Sequence, residues 1–391
     1  MNNKLSNLFK SFFESEKVGG LLLVICTLIS LIIANSDNGE VYRHFMHQKF
    51  DLSFSAIQLN YSVEHWVNDG LMAIFFLMVG LEVEREIYIG ELADFKKAIL
   101  PLAAAIGGIL VPSLIHFMLN AGTETQAGFA IPMATDIAFA LGILALAGNR
   151  VPASVKVFLT ALAIIDDIGA ILVIAFFYTK TISFAYLFTA FCILAVLLFL
   201  NKLHVQKLIF YIIPGIIMWY CFLKSGVHAT IAGVLLAFVI PFKKKDEENI
   251  SHKLLHFLHK PVAFFIVPVF ALVNTAILIP NGFLESLSSN NSMGIIIGLA
   301  LGKFIGIFSI PFILVKVGYS KMQVGMTWKK LAGIGFLGGI GFTMSMFITN
   351  LAFENPLLVN DSKLSILVAS AISAVMGLII FFTNKKAIEE K

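Results

Sequence analysis

The chain has 391 residues, of which 58% are hydrophobic and only 13% are charged. A soluble domain has about a quarter charged residues, so this composition excludes an ordinary water-soluble globular protein. The formal net charge of +4 does not indicate nucleic-acid binding, because the basic residues lie in short loops between apolar segments. The cysteines lie inside apolar segments without the spacing of a disulfide framework or metal site, and no cofactor is expected. They are Cys26, Cys192 and Cys221.

Apolar segments of roughly 17 to 25 residues, each able to cross the hydrocarbon core of a membrane, recur along the whole sequence. The sequence therefore predicts an all-α polytopic membrane protein with about twelve transmembrane helices, organised as one transporter domain over residues 1–391. The predicted spans, numbered 1 to 12 in order, are 18–34, 63–81, 98–119, 126–147, 153–178, 183–200, 208–222, 226–241, 261–279, 293–315, 330–350 and 361–383.

The basic residues predict the orientation of these spans. The N-terminal run continues to Asn35 without a cleavage signal, so we interpret it as the first span rather than a signal peptide. An even number of spans places both termini on one side, and most of the 28 basic residues fall in loops on that side, which the positive-inside rule identifies as cytoplasmic. The basic residues assigned to the opposite side are Arg43, Lys49, Lys180, Lys224 and Lys363. Lys303 alone lies inside an apolar run.

Three connections between spans carry structural signals. Residues 45–61 alternate apolar and polar side chains before a Ser-Ala break, which predicts an external β-hairpin, with an irregular loop as the alternative. Residues 82–97 form a charged cytoplasmic connection continuous with span 2. Residues 243–260 predict a short cytoplasmic helix with three histidines on one face. These histidines are His252, His256 and His259.

Four charged residues lie within the apolar spans: Asp136, Asp166, Asp167 and Lys303. Each is about ten to thirteen residues into its span, which at 1.5 Å per residue is roughly 15 to 20 Å deep, near the membrane midplane. An unpaired charge there costs about 3 kcal/mol or more, so we expect these groups to converge. The alternative is a structural salt bridge with a helix-end cap, but such a bridge needs one acid rather than three.

The sum of these charges predicts an exchanger. Three carboxylates and one lysine leave a formal charge of −2, which a low-dielectric site must neutralise with protons or with a bound cation. Adjacent residues on a helix point about 100° apart. One member of the Asp166–Asp167 pair can therefore face Lys303 while the other faces an aqueous cavity.

Two spans are predicted to be interrupted. Residues 333–341 read GIGFLGGIG inside an apolar span, and residues 134–136 follow Pro132 in another. These breaks occupy corresponding places in spans 3–5 (about 98–178) and spans 10–12 (about 293–383), which indicates inverted repeats around a midplane site. Asp136 and Lys303 are expected to neutralise the facing half-helix ends. Thr135 is either a cation ligand or bonded to its own helix.

A small-residue face is predicted beside Lys303. Glycines recur every fourth residue in span 10, which favours close packing against a neighbouring helix. They are Gly294, Gly298, Gly302 and Gly306.

The chain resembles the NhaA family of bacterial sodium/proton antiporters nearly end to end. The strings that carry the resemblance are ATDIAFALGILAL, FLTALAIIDDIGAI, LKSGVHATIAGV, GLALGKFIG and GIGFTMSMFI. The resemblance implies that Asp166 and Asp167 bind sodium or lithium and exchange it for protons. It also implies that Asp136 and Lys303 compensate the crossed half-helix ends, that Lys303 pairs with Asp166, and that Thr135 lies beside the ion route.

The resemblance further implies a regulatory set and a dimer contact. The residues that match a cytoplasmic cluster for activation at alkaline pH are Glu82, Arg85, Glu86 and His256, and those that match polar positions linked to ion passage and pH response are Asp69 and His228. Leu255 departs from the family pattern, which has a glutamate there. The histidines of 243–260 are equally well explained as a solvated face, and the glutamates as helix-end charges. The 45–61 hairpin matches the family's dimer contact.

The sequence therefore predicts electrogenic exchange of cytoplasmic Na⁺ or Li⁺ for external protons, in a bacterial inner membrane and without enzymatic catalysis. Asp167 is the primary ion ligand and proton carrier, and Asp166 is either a second carrier or the partner of Lys303. A sodium-coupled symporter would need a roomier polar cavity, and a DDxxD metal enzyme would need a third aspartate. An intramembrane aspartyl protease would need Asp136 close to Asp167. A channel is disfavoured, because deep titrating charges suit a slow exchange cycle.

Overall fold

The computed structural model describes residues 2–55, 57–179, 181–243 and 249–383. Lys180, part of the predicted 243–260 helix and the basic residues after 383 lie outside the described residues. The helices are Asn2–Ala34, Gly39–His47, Val63–Ile89, Phe95–Asn120, Glu124–Met133, Ile137–Leu146, Ala153–Phe177, Phe184–Lys202, Ile209–Ser225, Ile231–Val239, Ile250–Asn274, Phe283–Leu287, Asn290–Val317, Trp328–Leu337, Phe342–Ala352 and Pro356–Phe382, with short 3₁₀ turns at Glu91–Ala93 and Gly148–Arg150.

The prediction of an all-α polytopic membrane protein is confirmed. Among the described residues, seven helices are long and apolar enough to cross a membrane, or up to ten if each of three bent pairs is one span. Spans 7 and 8 correspond to shorter helices, Ile209–Ser225 with 17 residues and Ile231–Val239 with 9. Each of the twelve predicted spans thus coincides with a helix or a bent pair, because continuous apolar segments leave the backbone no water to bond and must form helices.

Both predicted interruptions are present. In span 4 the 3₁₀ helix Glu124–Met133 and the α-helix Ile137–Leu146 meet at 47° across residues 134–136. In span 11 the helices Trp328–Leu337 and Phe342–Ala352 meet at 43° across residues 338–341. Glycine residues occupy three of these last four positions, so the backbone leaves the helix where glycine makes the helical state least favourable.

The connections differ in part from the prediction. The hairpin is present, with Lys49–Asp51 paired antiparallel to Asn60–Ser62, although residues 45–47 belong to the preceding helix Gly39–His47. The helix of span 2 continues through the charged connection to Ile89. Residues 250–260 of the predicted 243–260 helix are helical, and this helix continues into span 9 as Ile250–Asn274. Its apolar side chains Leu254, Leu255 and Leu258 are buried, so the helix begins before the apolar span does.

Lys363 lies in helix Pro356–Phe382, at the start of predicted span 12, and its side chain is buried. Its assignment to the side opposite the termini stays a prediction.

The chain divides into two compact units. Unit 1 contains Met1–Ile25, Glu91–Ala170 and Leu278–Lys391, and unit 2 contains Cys26–Gly90 and Ile171–Ile277. Both interrupted spans and most of the residues predicted to form inverted repeats are in unit 1. The repeat relation itself stays a prediction.

Within unit 1 the glycine face of span 10 packs on span 3, as predicted. A Cβ added at Gly306 would lie 2.0 Å from the carbonyl oxygen of Gly107, and one added at Gly107 would lie 2.2 Å from that of Gly306. The two backbones are therefore in direct contact. This contact lies one helical turn from Lys303.

Candidate functional site

The centre of unit 1 holds a buried ion pair between span 5 and span 10. Lys303 Nζ donates a hydrogen bond to Asp166 Oδ2, and both side chains have 0% exposure. Lys303 follows the π-helical turn Gly298–Gly302 and is the first residue of the α-helix beyond it. A Cβ at Gly108 would lie 3.5 Å from Lys303 Nζ, which is van der Waals contact, so the ammonium lies directly against span 3.

Asp167 is equally buried, with 1% exposure, and lies close enough to Lys303 to interact with it electrostatically. The lysine therefore hydrogen-bonds one member of the aspartate pair while its charge also acts on the other. Asp166 Oδ1 is buried and has no hydrogen-bond partner among the described residues. The site consequently retains carboxylate capacity for an additional positive group.

Thr135 connects this ion pair to both interrupted spans. Its hydroxyl oxygen lies 2.7 Å from Asp166 Oδ2 and 2.7 Å from the carbonyl oxygen of Gly338. Gly338 follows the helix Trp328–Leu337, and Thr135 lies in the break of span 4. The two partners of the threonine hydroxyl therefore belong to other spans than its own. A hydroxyl has one proton and two lone pairs. Thr135 can therefore donate to only one of these oxygens at a time.

Asp136 joins the N-terminal ends of two half-helices. Its Oδ1 accepts a hydrogen bond from Phe139 N at 2.9 Å, which caps the half-helix that Asp136 itself begins. Its Oδ2 accepts from Thr343 N at 3.1 Å and from the Thr343 hydroxyl at 2.6 Å, at the start of helix Phe342–Ala352. Asp136 N donates to Ile340 O at 2.7 Å. The carboxylate thus meets the positive ends of two helix dipoles.

The local charge count follows from these contacts. Backbone N–H groups and a hydroxyl hold Asp136, whereas Lys303 bonds to Asp166. Thr343 was not among the predicted site residues, although a threonine at the start of a half-helix opposite a deep aspartate is a signal that could have identified it. Asp166, Asp167 and Lys303 together have a formal charge of −1, which one proton or one monovalent cation neutralises.

Asp69 and His228, which the family resemblance linked to ion passage and pH response, lie close together in unit 2. Asp69 is in the π-helical turn Trp66–Leu71, its Oδ2 is 3.4 Å from His65 Nδ1, and its charge interacts with His228. His228 Nε2 donates to the carbonyl oxygen of Tyr178 at 2.9 Å. His65 was not predicted, because a histidine four residues before an aspartate is common on helices.

The remaining regulatory candidates are also in unit 2. Arg85 Nη2 lies 3.0 Å from Glu86 Oε1, and the buried Glu82 interacts electrostatically with both residues. His256 is exposed, and it is the less exposed His259 whose charge interacts with Arg85.

Glu84, which the sequence analysis did not select, is also buried. It accepts a hydrogen bond from the Ser251 hydroxyl at 3.2 Å, which links span 2 to helix Ile250–Asn274. The described residues contain no cluster of three or more metal-ligating side chains.

Comparison with known proteins matches the chain to one family over nearly its whole length. The model of the Na⁺/H⁺ antiporter 1 family matches residues 10–381. The chain is 56% identical over 378 residues to the Na⁺/H⁺ antiporter NhaA of Dechloromonas aromatica, which covers 96% of this chain and 95% of that protein. It is 54% identical over 374 residues to the Na⁺/H⁺ antiporter NhaA of Flavobacterium psychrophilum, again with 96% and 95% coverage.

A solved structure is similar in fold. The sodium proton antiporter MjNhaP1 from Methanocaldococcus jannaschii aligns with a TM-score of 0.54, covering 97% of this chain and 99% of that one. The sequence identity is 14%, so this similarity concerns the fold alone.

Proposed function

Because this chain belongs to the Na⁺/H⁺ antiporter 1 family, we propose that it exports cytoplasmic Na⁺ or Li⁺ in electrogenic exchange for external protons, with greater activity at alkaline pH. As a multi-pass membrane protein it would act in the bacterial inner membrane, with both termini cytoplasmic and without a cofactor. The observation that carries the proposal is the fully buried Lys303–Asp166 pair with Asp167 beside it.

The charge count of this site supports exchange. A net charge of −1 in a water-excluded site is unfavourable by about 3 kcal/mol or more, which is on the order of 100-fold in population. A proton on Asp167 or a cation bound to it removes this penalty, and each displaces the other. The site is therefore more stable when it is loaded with one proton or one cation than when it is empty.

Thr135 supports binding of a small cation. When its proton points to Gly338 O, the lone pairs of its oxygen are available to an ion beside Asp166 and Asp167. Carboxylate and hydroxyl oxygens suit hard cations such as Na⁺ and Li⁺. Asp167 is the primary ligand and proton carrier in this scheme.

Electrogenic exchange requires protons and monovalent ions to cross in unequal numbers, and two protons for each ion meet this requirement. Asp167 supplies one of them. The second comes from the Lys303–Asp166 pair, either as a proton carried by Asp166 or as one released by Lys303. In both cases the ion-loaded and the proton-loaded sites differ by one charge, and the membrane potential acts on that difference.

The two clusters in unit 2 supply the regulation in this proposal. Glu82, Arg85, Glu86 and His256 form the cytoplasmic pH-sensing cluster, and Asp69 and His228 adjust the response. Buried glutamates beside an arginine change their hydrogen bonds when they titrate, which provides a pH-dependent bias. The 45–61 hairpin forms a homodimer contact.

The test uses inside-out vesicles with an acidified interior and a fluorescent pH probe. Addition of Na⁺ or Li⁺ between pH 6.5 and 8.5 should trigger proton efflux that grows with pH, and K⁺ should not. Asp167→Asn should abolish the efflux, whereas Asp37→Asn, in an exposed turn, should leave it unchanged. Absence of cation-dependent efflux at every pH would refute the exchange and favour a sodium-coupled symporter.

A further inference from the structure

A second buried polar group in unit 1 lies outside the ion site. His116 in helix Phe95–Asn120 is fully buried, and its Nε2 lies 3.2 Å from Asn291 Oδ1 in span 10. Asn291 Nδ2 donates in turn to Ser362 Oγ of helix Pro356–Phe382 at 2.8 Å. One chain of side-chain hydrogen bonds thus joins spans 3, 10 and 12.

The geometry of His116 is that of a neutral imidazole with a fixed tautomer. Nε2 donates its proton to Asn291 Oδ1, while Nδ1 is buried and has no hydrogen-bond partner among the described residues. A second proton on Nδ1 would add a buried charge without an acceptor. His116 is therefore suited to hold a position rather than to exchange a proton.

The backbone around the ring restricts its movement. A Cβ added at Gly128 would lie 3.1 Å from His116 Cε1, and one added at Gly294 would lie 2.8 Å from His116 Cδ2. The ring is thus held between the first half-helix of span 4 and span 10. Asn120 strengthens the same end, because its Nδ2 donates to the carbonyl oxygens of His116 and Asn290 at 2.9 and 3.1 Å.

Away from the Asn291 end, the contact between spans 3 and 10 contains no side-chain hydrogen bond among the described residues. It consists of close packing, with backbone against backbone at Gly107 and Gly306 and with the Ile307 side chain against Gly108. The described side-chain hydrogen bonds between span 10 and other spans lie in two places, the Asn291 end and Lys303. These are twelve positions apart, about 18 Å at 1.5 Å per residue, with a π-helical turn between them.

We propose that His116, Asn291 and Ser362 form a register clamp, which holds span 10 at the height and rotation where Lys303 reaches Asp166. The inference rests on the proposed function, in which loading of the aspartates weakens that ion pair during each cycle. The clamp then provides the described side-chain hydrogen bonds that still hold span 10, and it returns Lys303 to the same place. The three residues are positioning residues and do not touch the transported ion.

The test is a double-mutant cycle between the clamp and the ion pair. Asn291→Leu keeps a side chain branched at Cγ and removes both hydrogen bonds, and we expect it to raise the apparent KM for Na⁺ on the order of tenfold, because small misplacements of a site group have large effects. In a Lys303→Arg background the same change should raise KM less than about twofold. Independent sites this far apart give additive effects, so non-additivity indicates coupling.

Two further sets of variants keep the outcome decisive if Asn291→Leu folds poorly. Ser362→Ala should raise KM less than Asn291→Leu does, and this increase should also be reduced in the Lys303→Arg background. Ser362→Thr, which keeps the hydroxyl, should have the wild-type KM and pH profile. Asn274→Leu removes a buried Asn68–Asn274 hydrogen bond in unit 2 and is the matched control, whose effect should be additive with Lys303→Arg.

The melting temperatures of the same purified proteins give a second cycle that needs no transport. Non-additive shifts would support the clamp even if the wild type moved no protons in response to Na⁺, an outcome that would refute the proposed function alone. Equal shifts of KM and of melting temperature in both Lys303 backgrounds would overturn the clamp and leave the network a local stabilising feature.

Discussion

Replacing Thr135 by valine removes one oxygen atom from the centre of unit 1 and leaves the side-chain volume almost unchanged. That oxygen lies 2.7 Å from both Asp166 Oδ2 and Gly338 O, so the substitution removes the only hydroxyl described as bonded to the Asp166 carboxylate. A hydrogen bond to a charged group contributes about 1.5 to 3 kcal/mol. If the oxygen also binds the cation, the loss appears in ion affinity.

At about 1.4 kcal/mol per tenfold change, this range corresponds to an increase of roughly 10- to 150-fold in the apparent KM for Na⁺ or Li⁺. The measurement is a titration of Na⁺ and Li⁺ in the vesicle assay at pH 8.5, where protons compete least. Thr135→Ser keeps the hydroxyl and should remain within a few-fold of the wild type. Maximal rates should change less than KM, because the lost oxygen acts mainly on binding.

The reasoning would be refuted by a valine variant whose KM stays within twofold of the wild type for both ions. A serine variant as impaired as the valine variant would also contradict it, because the methyl group rather than the hydroxyl would then be the important part.

Three other changes test separate parts of the structure. Gly306→Ala places a Cβ 2.0 Å from Gly107 O and should abolish folded, active protein in detergent extracts, whereas Gly70→Ala, 3.6 Å from the nearest side-chain atom, should be tolerated. Asp136→Asn removes the negative charge that lies at two helix N-termini. The resulting loss of about 1.5 to 3 kcal/mol of folding stability should lower the melting temperature. An unchanged melting temperature would contradict the capping role. The apparent KM for Na⁺ should fall as pH rises, because ion binding requires deprotonated ligands. The expected decrease is about tenfold per pH unit if one proton is displaced and about 100-fold if two are. A KM that does not change with pH would exclude competition between Na⁺ and protons at Asp167.

The sequence by itself determined which segments cross the membrane and where two of them break. Hydropathy predicts spans because a backbone without water must form helices, and this holds segment by segment. The breaks at 134–136 and 338–341 follow from Pro132 and from clustered glycines, which are local properties. The four deep charges were identifiable for the same reason, since depth follows from counting residues along a helix.

Local rules did not distinguish which of these groups meet. Asp166 and Asp167 are adjacent and equally apolar in their surroundings, and their directions differ by about 100°. Family resemblance implied the Lys303–Asp166 pair, but the helical pattern alone allowed Lys303 to face either aspartate. The same limitation applied to Lys363, whose burial depends on the helices packed around it.

Only the tertiary structure decided the contacts that give the site its chemistry. Thr343 lies 207 positions from Asp136, Gly338 lies 203 from Thr135, and Asn291 lies 175 from His116. Residues so far apart in the sequence come into contact only when several helices pack together, and the rotation of each helix depends on its neighbours. The contacts of Thr343, of the Gly338 carbonyl and of His116 therefore form only when the two interrupted spans and span 10 have packed together.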